Sequence, residues 1–230
     1  MRMWNGKMKA LTLSYDDGVE QDIRLIEMLD RYHLRCTFNL NPGLQKPERT
    51  FQKGSVTVHH LPLNRLVDVY KNHEVAGHSD THPHMELLDQ AALNAEVYRC
   101  RDTLEQLLGK KILGLAYPFG TYNDSVVDTL REAGIRYART TIQTEGFELP
   151  SDLLRMETTC RHANPRLLEL AKQFVESKPD HPQLFYLWGH SYEFDQFDNW
   201  DLMEEFCRIV SGQADIFYGT NAEVLLGIPA

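Results

Sequence analysis

Short apolar runs alternate with longer amphipathic segments along this chain. A short apolar run bounded by turn residues is typical of a buried strand, and apolar residues at helical spacing indicate a helix. The runs predict strands at 10–14, 36–40, 74–78, 112–117, 135–138, 153–158, 184–188 and 215–218. The amphipathic segments predict helices at 19–32, 63–70, 89–108, 124–133, 165–177 and 199–210. Strand and helix alternate about seven times, which favours a parallel sheet flanked by helices.

Capping residues mark the ends of two predicted helices. Asp89 is expected to begin the longest helix and Gly109 to end it, while Asn123 and Gly134 bound the helix that follows. The polar stretch 41–62 has no clear period and is expected to be irregular. Because no linker or repeat divides the chain, we expect residues 1–230 to form a single α/β domain.

The composition is that of a soluble globular protein, with 42% hydrophobic and 25% charged residues among 230. The 24 basic and 33 acidic side chains give a net charge of −9, so we expect neither a nucleic-acid nor a membrane partner. No run of 18 apolar residues occurs and no apolar core follows the first basic residues, so we expect neither a membrane-spanning segment nor a secretory signal. The four cysteines stand singly, as is typical of reduced thiols, so we expect a cytoplasmic protein.

Polar residues follow four of the predicted strands at the point where each strand ends. These segments are 16–18, 78–84, 117–120 and 189–190. The carboxyl ends of parallel strands lie on one face of an α/β fold, where active sites are built. We therefore expect acidic, histidine and glycine residues to converge there.

The first segment contains adjacent carboxylates, Asp16 and Asp17, before Gly18. Neighbouring side chains at a strand end point in different directions, so one carboxylate can bind a cation while the other takes a proton. A plain turn is the alternative interpretation, because Asp-Asp-Gly is favourable turn chemistry.

The second segment places His78 and His82 four residues apart, a spacing that suits two imidazole ligands of one metal ion. Ser79 stands where a zinc protease of the HExxH type has its glutamate, so that chemistry is excluded. Pro83 interrupts the segment before His84, which we expect to take no part.

The remaining two segments contribute a turn and a lone histidine. Tyr117-Pro118-Phe119-Gly120 can direct a backbone N–H into the site as an oxyanion donor, or simply form a tight turn. His190 follows an apolar strand beside Trp188, where it can serve as a general acid or as a structural histidine.

The order and spacing of these four segments resemble the polysaccharide deacetylases of carbohydrate esterase family 4, which share the NodB homology domain. The resemblance extends from about residue 9 to about residue 226 and is carried mainly by Asp16-Asp17-Gly18 and by the His78–His82 pair. It implies a distorted (β/α)7-type barrel. It also implies Asp16 as general base, Asp17, His78 and His82 as metal ligands, and His190 as general acid.

The resemblance further implies an oxyanion donor at Phe119 and a divalent cofactor, with zinc favoured and cobalt, nickel or manganese as alternatives. The family has an arginine that braces the base, but Ala116 occupies its position here. Arg155 and Arg161 are the expected substitutes. Tyr117 and Trp188 are expected to contact the sugar.

The implied function is the hydrolytic removal of an N-acetyl or other acyl group from an acetamido sugar or short chito-oligosaccharide. Two related alternatives remain open: an amidase acting on a small non-sugar amide, and a catalytically degenerate member that binds sugar or metal. A third alternative is an Fe(II) oxygenase, because one carboxylate and two histidines are also its ligands. The α/β pattern and the order of the ligands disfavour that third alternative.

Overall fold

The computed structural model describes residues 3–229 of the chain. Its strands are β1 (Lys9–Asp16), β2 (Cys36–Leu40), β3 (Thr50–Lys53), β4 (Val56–His59), β5 (Glu74–Gly77), β6 (Gly114–Ala116), β7 (Tyr137–Gln143), β8 (Met156–Thr158), β9 (Cys160–Arg161), β10 (Gln183–Gly189) and β11 (Ile216–Tyr218). Its α-helices are α1 (Gln21–Arg31), α2 (Leu63–Val69), α3 (Gln90–Leu108), α4 (Asp124–Glu132), α5 (Leu167–Glu176), α6 (Tyr192–Gln196), α7 (Trp200–Val210) and α8 (Asn221–Leu226).

The main sheet is parallel and runs in the order β8-β7-β6-β5-β2-β1-β10-β9, with β11 also paired to β1. Thr159 alone separates β8 from β9, and its N–H donates to the carbonyl of Tyr186 in β10 at 3.0 Å. The β8–β9 segment therefore links β7 to β10 and closes the ring of strands. The predicted α/β barrel is confirmed.

Strand β1 lies between β2 and β10 in this barrel, and all eight of its residues are buried. Leu11, Leu13 and Tyr15 belong to the main hydrophobic core beneath the helices. The Thr12 hydroxyl donates to the Asn221 side chain on the opposite face at 2.8 Å. A nearly continuous apolar run is expected for a parallel strand covered on both faces.

The predicted caps are present in the structure. The Asp89 carboxylate accepts a hydrogen bond from the N–H of Ala92 at the start of α3, and Gly109 ends that helix in the left-handed conformation. Asn123 caps α4 in the same way. At 19 residues, α3 is amphipathic, and no helix between residues 3 and 229 combines the length and hydropathy that crossing a bilayer requires.

Several elements differ from the sequence expectations. The stretch expected to be irregular contains the antiparallel hairpin β3–β4, whose strands are short and largely polar. Helices α6 and α8 and the two-residue strand β9 were not predicted. Strand β7 begins at Tyr137 and continues to Gln143, whereas the apolar run ended at 138. That extension brings Arg139 into the site described next.

Candidate functional site

The four polar segments meet at one end of the barrel. Asp16 is the last residue of β1, and His78 and His190 directly follow β5 and β10. All three line one cavity of about 470 Å³, together with Asp17 and His82. The convergence expected from parallel strand ends is therefore present in the geometry.

Asp17, His78 and His82 form a cluster that can hold a metal ion. Each offers one ligand atom, and these atoms all lie within 4.8 Å of one another. His78 Nδ1 lies 2.7 Å from the Ala116 carbonyl oxygen, which can only accept, so Nδ1 carries the proton. Nε2 is left as a lone-pair donor, 3.8 Å from Asp17 Oδ1. A histidine ligand oriented in this way is typical of metal sites.

The charge state of the cluster also suits a cation. Burial lowers the pKa of His78 to about 4, so its imidazole is neutral. Burial and the neighbouring Asp16 carboxylate together raise the pKa of Asp17 to about 7. A cation bound beside Asp17 would favour the ionised carboxylate and keep His78 neutral, so the donor set fits a divalent metal.

The backbone around the cluster is unusual. Asp17, Ser79, His82 and Phe119 all have positive φ angles, between 58° and 82°. Left-handed backbone is uncommon for residues other than glycine and is often found at functional sites. The turns that follow β1, β5 and β6 therefore use strained conformations to direct their side chains into the cavity.

The Asp16 carboxylate is held by Arg139. Arg139 Nη2 lies 2.6 Å from Asp16 Oδ1 and 2.5 Å from Oδ2, and Asn39 Nδ2 donates to Oδ1 at 2.8 Å. Burial opposes ionisation of Asp16. The charge of Arg139, the neighbouring His78 and His190 and the hydrogen bond from Arg139 together outweigh burial and lower the pKa of Asp16 to about 2. Asp16 is therefore ionised and fixed in orientation.

The expectation that Arg155 or Arg161 braces Asp16 is corrected by this arrangement. Arg155 pairs with Asp152 and Asp124, at 2.7 and 2.8 Å. Arg161 lines the cavity but its guanidinium contacts Glu193.

The bracing guanidinium comes instead from the strand beside Ala116. Ala116 in β6 and Arg139 in β7 are register partners. The guanidinium that braces Asp16 is therefore carried by the strand next to the one that contains Ala116. The sequence feature that could have indicated Arg139 is its position directly after the apolar pair Tyr137-Ala138.

His190 lies beside the metal-ligand cluster, close to both aspartates. Its Nε2 atom is 3.9 Å from Asp16 Oδ2 and 4.0 Å from Asp17 Oδ2. On its other side, Nδ1 is 3.5 Å from Glu193 Oε1. Burial lowers the pKa of His190 to about 3, so it is neutral at neutral pH.

Glu193 was missed by the sequence analysis. It is buried at the start of α6 and contacts both Arg161 and His162, the latter at 3.0 Å. Its only sequence signal was its position three residues after His190. Glu193 thus places a carboxylate behind the imidazole that faces the cavity.

The three predicted aromatic contacts occupy different environments. Phe119 lies in the turn after β6 and is 51% exposed, with its ring stacked on His84 at 3.9 Å. Tyr117 is 1% exposed and donates its hydroxyl to the Leu154 carbonyl at 2.7 Å. Trp188 is 5% exposed, with the guanidinium groups of Arg139 and Arg161 over its ring. Tyr117 and Trp188 line the cavity but are largely buried in its wall, and their contact with a sugar stays a prediction.

Comparison with known protein families agrees with this geometry. The family model described as polysaccharide deacetylase matches residues 5–138, more than half of the chain. The chain belongs to the polysaccharide deacetylase family. This membership supports a hydrolase.

Solved structures of polysaccharide deacetylases share the barrel. The family 4 carbohydrate esterase from Streptomyces lividans, in complex with acetate, is 17% identical with a TM-score of 0.58, covering 93% of this chain and 92% of that one. A CE4 family pseudoenzyme from Bacillus anthracis is 16% identical with a TM-score of 0.57, covering 94% and 65%. At these identities the similarity shows the fold.

Among curated proteins, the uncharacterized protein YlxY of Bacillus subtilis (strain 168) is 22% identical over 144 residues. The match covers 63% of this chain and 41% of YlxY, so the shared region spans less than half of the relative.

Proposed function

We propose that this protein is a metal-dependent deacetylase that removes an N-acetyl group from an acetamido sugar or short chito-oligosaccharide. The observation that carries the proposal is one cavity that holds the Asp17–His78–His82 ligand cluster, with Asp16 and His190 beside it and 3.9 Å from each other. Membership in the polysaccharide deacetylase family supports the same reaction class.

Asp17, His78 and His82 would hold the divalent ion. Zinc suits a site of two imidazoles and one carboxylate, and cobalt, nickel and manganese are the alternatives. The chemistry that such an ion supplies when bound is acidification of a water molecule and polarisation of the acyl carbonyl.

The remaining residues bind and move protons. Asp16 accepts a proton from the attacking water, while Arg139 holds its carboxylate in place. His190 is neutral at rest, so it first receives a proton from Asp16, 3.9 Å away, and then donates it to the departing amine. The backbone N–H of Phe119 is proposed to stabilise the oxyanion. The products are acetate and an amino sugar.

The substrate is proposed to be a soluble acetamido sugar rather than a cell-wall polymer. This follows from the proposed cytoplasmic location, for which the support is four buried cysteines with free thiols. A small non-sugar amide is the alternative substrate of the same site.

A binding protein without turnover is the second candidate function. It is favoured by one observation, the lowering of the Asp16 pKa to about 2, which makes this carboxylate a weak base. The fold that the chain shares with a pseudoenzyme from Bacillus anthracis also supports this candidate.

Acetate release from a panel of N-acetylated mono- and oligosaccharides, with metal content measured on the same sample, tests the proposal. We expect release that depends on stoichiometric metal and stops after chelation. Release of a non-sugar acyl product alone would support the amidase. Metal and sugar binding without any release would support the binding protein.

A further inference from the structure

The hairpin β3–β4 directs one face of a strand into the cavity. Arg49, Phe51 and Lys53 all line it, together with the Asp17 cluster. Arg49 directly precedes β3, and its carbonyl accepts a hydrogen bond from the His60 N–H at 3.1 Å, which continues the pairing of the hairpin. The spacing of two residues therefore places the three side chains on the same face, because side chains alternate along a strand. The two cationic groups therefore flank an aromatic ring on a single wall of the site.

Contacts with α6 hold this wall beside the reacting end of the cavity. The Phe51 ring meets the Tyr192 ring edge-on with centroids 5.4 Å apart, and Lys53 Nζ lies 5.9 Å from the same Tyr192 ring. Tyr192 in turn lies 5.2 Å from the His190 ring. A backbone bridge between Val19 and His60 ties the hairpin to the end of β1.

The charge of this wall is opposite to that of the whole chain. Residues 49–60 contain Arg49 and Lys53 and no acidic residue, in a chain of net charge −9. The other two guanidiniums near the site are paired with carboxylates: buried Arg139 with Asp16, and Arg161, which lines the cavity, with Glu193. Across residues 3–229, neither Arg49 nor Lys53 forms a salt bridge with a carboxylate, and both are exposed.

Unpaired cations on a rigid strand at the mouth of a cavity favour an anionic ligand, both by steering it and by pairing with it once bound. We propose that Arg49 and Lys53 form a subsite for an anionic substituent, a carboxylate or a phosphate, on the acetamido sugar. This inference rests on the proposed deacetylase function and narrows its substrate to acidic sugars. Phe51 between the two cations offers the apolar surface for the ring that carries the substituent.

The test compares three substrates that share one N-acetylglucosamine unit: the neutral sugar, a form with a carboxylate-bearing ether, and a form with a phosphate ester. We expect kcat/KM to be about five- to tenfold higher for one or both anionic forms, as two exposed charge contacts allow. The preference should shrink as salt is raised. The anionic form with the higher kcat/KM shows whether the subsite prefers a carboxylate or a phosphate substituent.

The variant Arg49→Gln/Lys53→Gln should bring the ratio of anionic to neutral kcat/KM close to one. Lys172→Gln, which removes an exposed charge from α5, is the matched control and should leave the ratio unchanged. Equal kcat/KM for all three substrates, or a ratio that survives the double substitution, would overturn the subsite.

Binding of the same three sugars by calorimetry separates this inference from the proposed function. If no sugar is deacetylated, the deacetylase proposal fails. Tighter binding of an anionic sugar to the wild type than to the double variant would still support the subsite. Equal binding of all three sugars would reject it.

Discussion

Two adjacent carboxylates, Asp16 and Asp17, have pKa values that the protein pushes in opposite directions. Burial opposes ionisation of both, but the Arg139 guanidinium helps to bring the pKa of Asp16 to about 2. Asp17 lacks such a partner, and its pKa rises to about 7. Groups whose environments separate their pKa values in this way commonly have separate roles. Here Asp16 already has Arg139 as its counter-ion, whereas a bound cation would stabilise the ionised form of Asp17.

Asp16→Asn tests this division of roles. We expect the variant to retain its metal and lose turnover by about 10²- to 10⁴-fold, because the proton acceptor is removed while the ligands stay. His78→Ala should instead lose the metal. Metal content and acetate release on the same samples check both. Turnover near the wild-type level in Asp16→Asn would remove Asp16 as the base.

Arg139→Ala tests the relocated guanidinium. Removing it leaves Asp16 buried without its counter-ion, so we expect a loss of about 3–5 kcal/mol in the free energy of unfolding and a large loss of turnover. Arg155→Ala, which removes an arginine from partly exposed ion pairs, should cost less than about 1 kcal/mol.

The double variant Ala116→Arg/Arg139→Ala supplies the guanidinium from the partner position on β6. Partial recovery of kcat with little change in KM would support a positioning role. If the double variant is as inactive as Arg139→Ala alone, only an arginine on β7 can place its guanidinium against Asp16.

At the scale of elements, strand β1 is tied to the end of helix α5 by a buried lysine. Lys9 is 1% exposed, and its Nζ donates to the carbonyls of Phe174, Val175 and Ser177 at 3.2, 2.7 and 3.0 Å. The last carbonyls of a helix have no partner within the helix and carry partial negative charge. Lys9 therefore satisfies the C-terminus of α5 and fixes it against the sheet.

Lys9→Met should lower the free energy of unfolding by about 2–4 kcal/mol, because it leaves three carbonyls at the end of α5 and the Asp215 carboxylate without their charged donor. Lys172→Met, an exposed substitution on α5 itself, is the control and should change stability by less than about 0.5 kcal/mol. Urea unfolding of both variants measures the difference. A loss in Lys9→Met no larger than in the control would show that water replaces the ammonium group.

For the whole molecule, closure of the barrel decides which groups meet. β1, β5 and β10 run parallel, so their carboxyl ends open into the same cavity. The ligand cluster spans the end of β1 and the turn after β5, two segments separated by about a quarter of the chain. Metal binding is therefore expected to stabilise the assembled barrel and not the unfolded chain.

Zinc should raise the melting temperature of the metal-free protein. At a thousandfold excess over its dissociation constant a ligand contributes about 4 kcal/mol, and each kcal/mol is worth about 2–4 °C for a chain of this size. His82→Ala should show a much smaller rise. Calorimetric melting with and without zinc, before and after chelation, checks the shift. An unchanged melting temperature in the wild type would contradict the assigned ligands.

The local sequence was sufficient for much of the fold. The apolar runs located the strands that bear the site, and Asp89, Gly109 and Asn123 marked helix ends, because burial and capping act over a few neighbouring residues. The same runs located the turns after β1, β5, β6 and β10. The segments where functional residues gather could therefore be predicted without knowing which strands are neighbours.

Only the tertiary structure decided which side chains complete those segments. Arg139 faces Asp16 because β7 lies beside β6, and Glu193 stands behind His190 because an unpredicted helix begins there. The hairpin carrying Arg49 and Lys53 has no apolar run to reveal it. Pairing between elements distant in sequence depends on the order of strands in the sheet, and periodicity within one element contains no information about that order.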